Sequence, residues 1–196
     1  MASSSNSEVQ CIYDIFLSFR GTDTRKKFTD HLYKALQREG YQTFRDDDEI
    51  ERGENINSEL WKAICSSRMS IIVLSKNYAN SRACLFEIKT IIDYSKKKSD
   101  HWILPVFYEV DPWEIKEQAR KLDFGGKKVT IEEVKGWRAA LKRFMMDPWE
   151  VNNEQAAEYF DFGGKKVKVE EVEGWGAALK EVASMAGIVS GNQSNG

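Results

Sequence analysis

The sequence predicts an α/β domain built on a parallel sheet with helices on both faces. Four apolar segments rich in β-forming residues alternate with four segments of helical periodicity. One of them, Met69 to Ser75, is a continuous apolar run, which is typical of a strand buried inside a parallel sheet. At 196 residues and 41% hydrophobic content, the chain is long enough for one domain and too short for two ordinary ones. Right-handed crossovers would join the strands.

The first strand and helix are predicted from Ile12 to Gly40. Ile12 to Phe19 favours a strand that opens into a loop at Arg20 and Gly21. Thr22 or Asp23 is expected to cap the following helix, which Gly40 would close. The apolar face of this helix consists of Phe28, Leu32, Ala35 and Leu36.

The second unit begins with a strand from Tyr41 to Arg45 and continues through an acidic loop at residues 46–49 to a helix over Ser58 to Ser66. The third begins with Met69 to Ser75, after which Ser81 is expected to cap a helix. The fourth strand is Trp102 to Tyr108. Asp111-Pro112-Trp113-Glu114 then has the outline of a capping box at the start of a helix.

Glu87 lies in the helix predicted after Ser81. At 100° per residue it falls about 40° round the helix from Ile91, at the edge of the apolar stripe. An acid there is expected to be neither fully solvated nor cleanly buried, and taken alone it resembles a surface glutamate in an early helical turn. The stripe itself comprises Cys84, Leu85, Ile88, Ile91 and Ile92.

The C-terminal part contains an internal repeat with an offset that grows from 36 to 38 residues. Three motifs occur twice: Asp111 to Ile115 as Asp147 to Val151, Asp123 to Val129 as Asp161 to Val167, and Gly136 to Lys142 as Gly174 to Lys180. Two copies do not make a solenoid. We interpret the repeat as a tandem copy of the last helical elements of one domain, of which only one copy can occupy the native position; the sequence leaves open which.

Domain boundaries follow from these segments. We expect residues 1–10 to be a disordered tail, 11–146 to form the domain, 147–186 to be the tandem copy, and 187–196, which are rich in Gly, Ser and Asn, to be a disordered tail.

Composition excludes several classes of protein. A formal net charge of −2 and a pI near 5.8 argue against nucleic-acid binding by bulk charge. The three cysteines form neither a disulfide framework nor a zinc site, so no metal is expected and a reducing compartment is indicated. Without a signal peptide, a myristoylation glycine or a membrane span, the expected location is the cytoplasm, with the nucleus as an option.

A ligand crevice is expected at the carboxyl ends of the strands, where the strand order reverses. If the order is 2-1-3-4-5, the crevice lies between the loops after the first and third strands. The first loop offers Arg20, Gly21 and the start of a helix, suited to a phosphate, and the third leads to Glu87. The acidic second loop would border the same opening.

Several ordered motifs resemble a plant Toll/interleukin-1 receptor (TIR) domain of the immune-receptor type, over residues 12 to about 145. The motifs are Tyr13 to Arg25, Thr43 to Asp47, Arg52-Gly53, Ser75 to Ala79, Ser81, Cys84 to Glu87, and Pro105 to Tyr108 with Asp111-Pro112. The resemblance implies a flavodoxin-like fold, and many such domains cleave the nicotinamide–ribose bond of NAD+ when they self-associate in immune signalling. NAD+ would be a substrate and no cofactor is implied, whereas the partners would be the protein itself, other TIR domains or immune receptors.

The resemblance also implies roles by position. Glu87 matches the catalytic glutamate, Arg20 and Ser81 match active-site positions, and Asp46 lies in the loop that gates the pocket. Ile56 ends that loop near the ligand. The nucleotide side would be lined by Gly21, Thr22, Asp23, Thr24, Arg25, Lys26 and Lys27. One acid suffices for this chemistry, because nicotinamide leaves as a neutral molecule while a carboxylate stabilises the oxocarbenium character of the ribose.

Two departures from the family pattern bear on activity. Ala83 stands where the family usually has a tryptophan, so a stacking surface for the substrate is lost and activity would be weakened. The Ser-His pair that the family uses for self-association appears here as Asp30-His31.

Rival interpretations are weaker. A phospho-receiver domain needs an acceptor aspartate after the third strand, where the chain has Ser75-Lys76, and a Rossmann dehydrogenase needs more glycines than Gly21 in the first loop. Cys84 as a nucleophile has no recognisable histidine partner and is expected to be a buried apolar residue. The serious alternative is a non-catalytic TIR adaptor or decoy that acts by TIR–TIR interaction.

Overall fold

A five-stranded parallel sheet forms the centre of the computed structural model, which describes residues 11–45, 54–124, 127–130, 159–162 and 165–190. The strand order is β2-β1-β3-β4-β9, and each neighbouring pair is parallel. Strand β9 is the fifth strand of this sheet along the chain, so the predicted order 2-1-3-4-5 is confirmed. The strands are β1 Tyr13–Phe19, β2 Thr43–Arg45, β3 Ser67–Leu74, β4 Trp102–Tyr108 and β9 Ile188–Ser190.

Helices cover both faces of the sheet, as predicted. They are α1 Gly21–Thr24, a π-helix Arg25–Thr29, α2 Asp30–Arg38, α3 Glu54–Cys65, a 3-10 turn Tyr78–Asn80, α4 Arg82–Lys97, α5 Pro112–Arg120 and α6 Val169–Val182. Side chains alternate along each strand, so Phe16 and Ile72 pack with α3, α4 and α6 on one face, whereas Leu17 and Val73 pack with α2 on the other. Two apolar cores result.

The first helical segment begins earlier than predicted and is not regular. It starts at Gly21 rather than after a cap at Thr22 or Asp23, because the Asp23 carboxylate is engaged with the loop after β3. A single π-turn follows, in which the backbone N–H of Asp30 donates to the carbonyl of Arg25, and the Thr29 hydroxyl lies 2.8 Å from that of Thr24. Gly40 does end the segment, with a positive φ of 87°.

The helix after Ser81 has the predicted cap and buried face. Ser81 is its N-cap, and the Ser81 hydroxyl accepts a 3.3 Å hydrogen bond from the backbone N–H of Cys84. All five residues of the predicted apolar stripe are buried. The capping box at α5 is also present in part, since the Glu114 carboxylate accepts from the backbone N–H of Asp111 at 2.8 Å.

The second copy of the repeat supplies the last helix of the domain. Within α6, Trp175 is 2% exposed and belongs to the same core as α4. Helix α6 and strand β9, both beyond the predicted domain boundary at residue 146, are thus parts of the central fold. Residues 136–142 of the first copy lie outside the described residues.

Both copies of the Asp-Phe-Gly-Gly-Lys-Lys-Val motif form antiparallel hairpins. Strand β5 (Lys121–Phe124) pairs with β6 (Lys127–Thr130), and β7 (Tyr159–Phe162) pairs with β8 (Lys165–Lys168). The register is equivalent, since Asp123 faces Lys128 and Asp161 faces Lys166. The repeat therefore contains a hairpin, whereas only helical elements were predicted.

The prediction of a disordered tail from residue 187 is wrong for Ile188–Ser190, which form the edge strand β9 beside β4. Backbone hydrogen bonding outweighs the Gly- and Ser-rich composition here, and the N–H of Glu109 donates to the carbonyl of Ser190 at 2.8 Å. Gly187 is required before the strand, since a Cβ on it would lie 2.6 Å from the backbone oxygen of Pro105.

Candidate functional site

The loops after β1 and β3 meet, as the crevice hypothesis requires. The Asp23 carboxylate accepts a 2.5 Å hydrogen bond from the Ser75 hydroxyl and a 3.2 Å bond from the backbone N–H of Asn77. Arg20 Nη1 lies 3.3 Å from the other carboxylate oxygen. Burial of Asp23 acts to raise its pKa, but the hydrogen bond from Ser75, the charge of Arg20 and the bonds from Asn77 together hold the pKa below its usual value.

Glu87 lies in the second turn of α4 and is only 6% exposed. The expectation of a half-solvated acid is therefore wrong. Its Oε2 atom accepts a 2.6 Å hydrogen bond from the hydroxyl of Ser18, near the carboxyl end of β1. This contact across 69 residues offsets part of the solvation that the carboxylate loses on burial.

Ser18 connects Glu87 to a second buried hydroxyl, that of Tyr78. The Ser18 and Tyr78 oxygens lie 2.6 Å apart, and Tyr78 Oη lies 3.2 Å from the carbonyl oxygen of Cys84. Both side chains are fully buried. Burial raises the pKa of Tyr78 well above its usual range, and the nearby Cys84 and Glu87 act in the same direction, so the phenol remains protonated.

Sequence reasoning did not identify Ser18 or Tyr78. A signal was available for Ser18, because it is a polar residue inside the otherwise apolar run from Ile15 to Phe19. A buried polar residue needs a hydrogen-bond partner, but which partner depends on the tertiary structure.

The first loop places its predicted binding residues in different environments. Gly21 and Thr24 are buried, and the Thr24 hydroxyl lies 3.3 Å from the Arg20 carbonyl, so it is part of the internal hydrogen bonding. Arg25 lies over the ring of Phe19, with 5.5 Å between the guanidinium carbon and the ring centroid. The side chains of Thr22, Lys26 and Lys27 are exposed.

Ser81 and Ala83 flank the start of α4. Ser81 is half-buried and its hydroxyl is engaged in capping. Ala83 is exposed and lies one helical turn before Glu87, on the same side of the helix. The Cys84 thiol is buried and lies 3.6 Å from the carbonyl oxygen of Phe19, as expected for a residue with a packing role.

The structure describes no side chain for two of the predicted pocket residues. Asp46 lies outside the described residues, as does the acidic loop, and for Ile56 the structure describes only the backbone, within α3.

The predicted self-association pair lies on α2. Asp30 forms ion pairs inside its own chain, at 2.7 Å with Lys34 and 3.0 Å with Arg45 on β2. His31 is exposed. Self-association through these residues stays a prediction.

A separate cleft of about 580 Å³ lies at the carboxyl ends of β4 and β9 and contains none of the predicted site residues. Its lining is Phe28, Tyr108, Glu109, Val110, Asp111, Glu114, Val189 and Ser190. The cleft is thus separate from the candidate site around Glu87.

Within the described ranges, no group of three or more His, Cys, Asp or Glu side chains has the geometry of a metal site. No helix in the same part of the chain has the length and apolarity needed to cross a bilayer.

The fold and site define a flavodoxin-like α/β domain in which the loops after β1 and β3 meet and a buried glutamate on α4 is hydrogen-bonded to β1. The family model described as TIR domain matches residues 12–160. The chain belongs to the TIR domain family and is homologous to plant TIR-type disease resistance proteins.

Plant disease resistance proteins are among the most similar matches. The chain is 50% identical to disease resistance protein RUN1 of Vitis rotundifolia over 134 residues, which cover 66% of this chain and 10% of RUN1. It is 44% identical to TMV resistance protein N of Nicotiana glutinosa over 147 residues, or 72% of this chain and 13% of that protein. The chain thus spans about a tenth of the length of these relatives.

The structure resembles the TIR domains in the activated Roq1 resistosome, described as directly recognising the pathogen effector XopQ. The TM-score is 0.60 at 36% identity, and the match covers 94% of this chain and 91% of that one.

Proposed function

We propose that this chain is a TIR-domain NAD+ hydrolase that acts in plant immune signalling when it self-associates. The proposal is supported above all by Glu87, whose carboxylate is buried, fixed by Ser18 and placed beside the loops after β1 and β3. The family membership, the disease-resistance names of its relatives and the assembled Roq1 structure support the immune setting.

The chemistry needs one carboxylate. The bond between the ribose C1′ and the nicotinamide nitrogen breaks, and its electron pair leaves with neutral nicotinamide. Positive charge then develops on the ribose, where Glu87 would stabilise it. Attack by water on C1′ would complete hydrolysis with release of a proton, and attack by an adenine nitrogen would give a cyclic product. Because a carboxylate in a poorly solvated site interacts strongly with developing charge, the burial of Glu87 favours this role.

The first loop supplies positive charge for the pyrophosphate of NAD+. Arg20 and Arg25 are half-buried, and Lys26 and Lys27 are exposed nearby along the chain. Arginine binds phosphate through two parallel hydrogen bonds, so Arg20 is the residue we expect to contact it. In that case Arg20 would exchange part of its interaction with Asp23 for the ligand.

The proposal is tested by incubating the full chain with NAD+ and measuring the rate of nicotinamide release. The chain is assayed in dilute solution and clustered on a multivalent support. We expect clustering to raise the rate. Glu87→Gln keeps the size of the side chain and removes its charge, so it should lower release by roughly 10²–10⁴-fold. Glu117→Gln on α5, outside the site, is the matched control. No release from the clustered wild-type chain would reject the proposal.

A second function, a non-catalytic module that binds other TIR domains, is favoured by Ala83. This small exposed residue leaves no aromatic surface at the position where the family usually has tryptophan. The two functions separate cleanly, because a binding module would form assemblies without releasing nicotinamide, and Glu87→Gln would leave assembly unchanged.

A further inference from the structure

Ser18, Tyr78 and Glu87 form a buried row of polar groups that crosses from β1 to α4. The Glu87 Oε2 to Ser18 Oγ and Ser18 Oγ to Tyr78 Oη distances are both 2.6 Å. Neither hydroxyl is accessible to solvent. The distance between Ser18 Oγ and the Glu87 carboxylate is typical of a hydrogen bond to a charged acceptor.

The number of hydroxyl hydrogens in this row determines which group donates each hydrogen bond. Ser18 and Tyr78 carry one hydroxyl hydrogen each. Since Ser18 donates its hydrogen to the Glu87 carboxylate, only Tyr78 can supply the hydrogen for the contact between the two hydroxyls. Tyr78 Oη has an alternative acceptor in the Cys84 carbonyl, but at 3.2 Å rather than 2.6 Å. The shorter contact therefore orders the row from Tyr78 through Ser18 to Glu87.

Such a row has an electrostatic consequence. A donor that itself accepts a hydrogen bond is polarised and donates more strongly, so Tyr78 strengthens the bond from Ser18. Both groups stabilise the ionised carboxylate relative to the protonated one. They also fix the carboxylate in space, because Ser18 lies on β1, which pairs with a strand on each side, and the Tyr78 ring is packed in the core.

We infer that Ser18 and Tyr78 are positioning residues that hold the Glu87 carboxylate in one orientation and keep it ionised for catalysis. This inference rests on the proposed function. Neither hydroxyl is accessible to NAD+. Their removal should therefore lower kcat and leave substrate binding nearly unchanged.

The test compares Ser18→Ala and Tyr78→Phe with the wild-type full chain in nicotinamide release. Ser18→Ala should lower kcat by about 10- to 100-fold with KM nearly unchanged. The acid limb of its pH–rate profile should move upward by about one pH unit, because a hydrogen bond to a charged group is lost. Tyr78→Phe should shift both quantities in the same direction by less, and Ser18→Thr, which restores a hydroxyl, should recover most of the loss.

Ser70→Ala is the matched control. Ser70 is a fully buried serine on the neighbouring strand β3, and its hydroxyl lies 2.9 Å from the His101 ring rather than near Glu87. It should lower stability without moving the acid limb. An unchanged kcat and acid limb in a folded Ser18→Ala protein would overturn the inference, as would an equal effect of Ser70→Ala. If Ser18→Ala does not fold, Tyr78→Phe alone decides by the same criteria.

A second measurement keeps this inference separate from the proposed function. The carboxyl carbon of Glu87 can be titrated by NMR in the ¹³C-labelled full chain, with Glu87→Gln to assign the signal. Its midpoint should rise by about one pH unit in Ser18→Ala and stay in place in Ser70→Ala. If the wild type releases no nicotinamide, the proposed function fails, whereas the hydroxyl row stands or falls on this titration: an unmoved midpoint in Ser18→Ala would disprove it.

Discussion

Asp23 Oδ2 lies 2.5 Å from the hydroxyl oxygen of Ser75, a residue 52 positions further along the chain. The bond joins the segment after β1 to the loop after β3, and the N–H of Asn77 donates to the same oxygen. These two loops are the predicted walls of the crevice, and the Asp23 carboxylate holds them together. Asp23 is in this respect part of the framework of the site.

Removing this carboxylate should loosen the crevice. We expect Asp23→Ala to lower the free energy of unfolding by about 2 kcal/mol at pH 7, because the Ser75 hydroxyl and the Asn77 N–H lose a charged acceptor. Urea denaturation measures the difference. Asp93→Ala, which removes an exposed partner of Lys89 on α4, is the control and should change stability little.

The same substitution should alter the response to acid. The folded state lowers the pKa of Asp23 below 3.8, so the unfolded chain binds the proton more tightly. The stabilisation is therefore complete above about pH 3.8 and is lost as pH falls through the folded pKa. The stability difference between wild type and Asp23→Ala should shrink over that range, and a constant difference down to pH 2.5 would contradict the assignment.

His101 should give the domain a second, milder pH dependence. The ring is buried, with Nε2 2.9 Å from the Ser70 hydroxyl and Nδ1 3.0 Å from the Ser67 carbonyl oxygen. Burial lowers its pKa below 6.5, so the folded state favours the neutral ring. The unfolded chain then binds more protons, and stability should fall as pH drops below about 6.5 towards the folded pKa.

His101→Gln should flatten the change in unfolding free energy between pH 7.5 and pH 5, although its stability at pH 7.5 should be lower because the fit to Ser67 and Ser70 is poorer. His31→Gln, at the exposed histidine of α2, should leave the wild-type slope intact. If His31→Gln flattened the pH dependence of the unfolding free energy and His101→Gln did not, the role of His101 would be refuted.

Local patterns account for much of the fold, and long-range contacts account for the rest. The Ser81 cap and the buried stripe of α4 depend on residues within a few turns of each other, so periodicity predicts them. The burial of Glu87 depends on Ser18, 69 residues away, and no local pattern contains that information. Strand β9 was missed for a related reason, since its residues are ordered by pairing with β4 and not by their own composition.

Ala83→Trp should raise NAD+ cleavage if the pocket is otherwise intact. An aromatic contact is worth roughly 0.5–1.5 kcal/mol, which corresponds to about a 2- to 12-fold gain in kcat/KM. Because Ala83 is exposed, the larger side chain should be tolerated with little loss of stability. Ala177→Trp, at an exposed position of α6, is the control. Equal gains from both substitutions would show that the effect is not one of substrate stacking.

The internal repeat offers a test of why the second copy forms the last helix. Gly176 is buried in α6, whereas the first copy has Arg138 at the corresponding position. Glu181 Oε2 lies 2.7 Å from Lys96 Nζ, and the first copy has Arg143 there, which would repel the lysine. A buried guanidinium without a matched partner is costly, so the first copy is the poorer occupant of this position.

Two deletion variants test the two copies separately, because each lacks 38 residues and keeps only one copy of the helix sequence. Deleting residues 125–162 keeps Gly176, whereas deleting residues 143–180 keeps Arg138 in its place, and both retain α5 and β9. We expect the first variant to unfold cooperatively with near wild-type stability and the second to be less stable by about 3 kcal/mol or more. Arg138→Gly in the second variant should recover most of that loss, although the two deletion variants also differ from each other at three further positions. Equal stability of the two deletions, measured by thermal and urea unfolding, would show that the buried glycine does not decide which copy forms the helix.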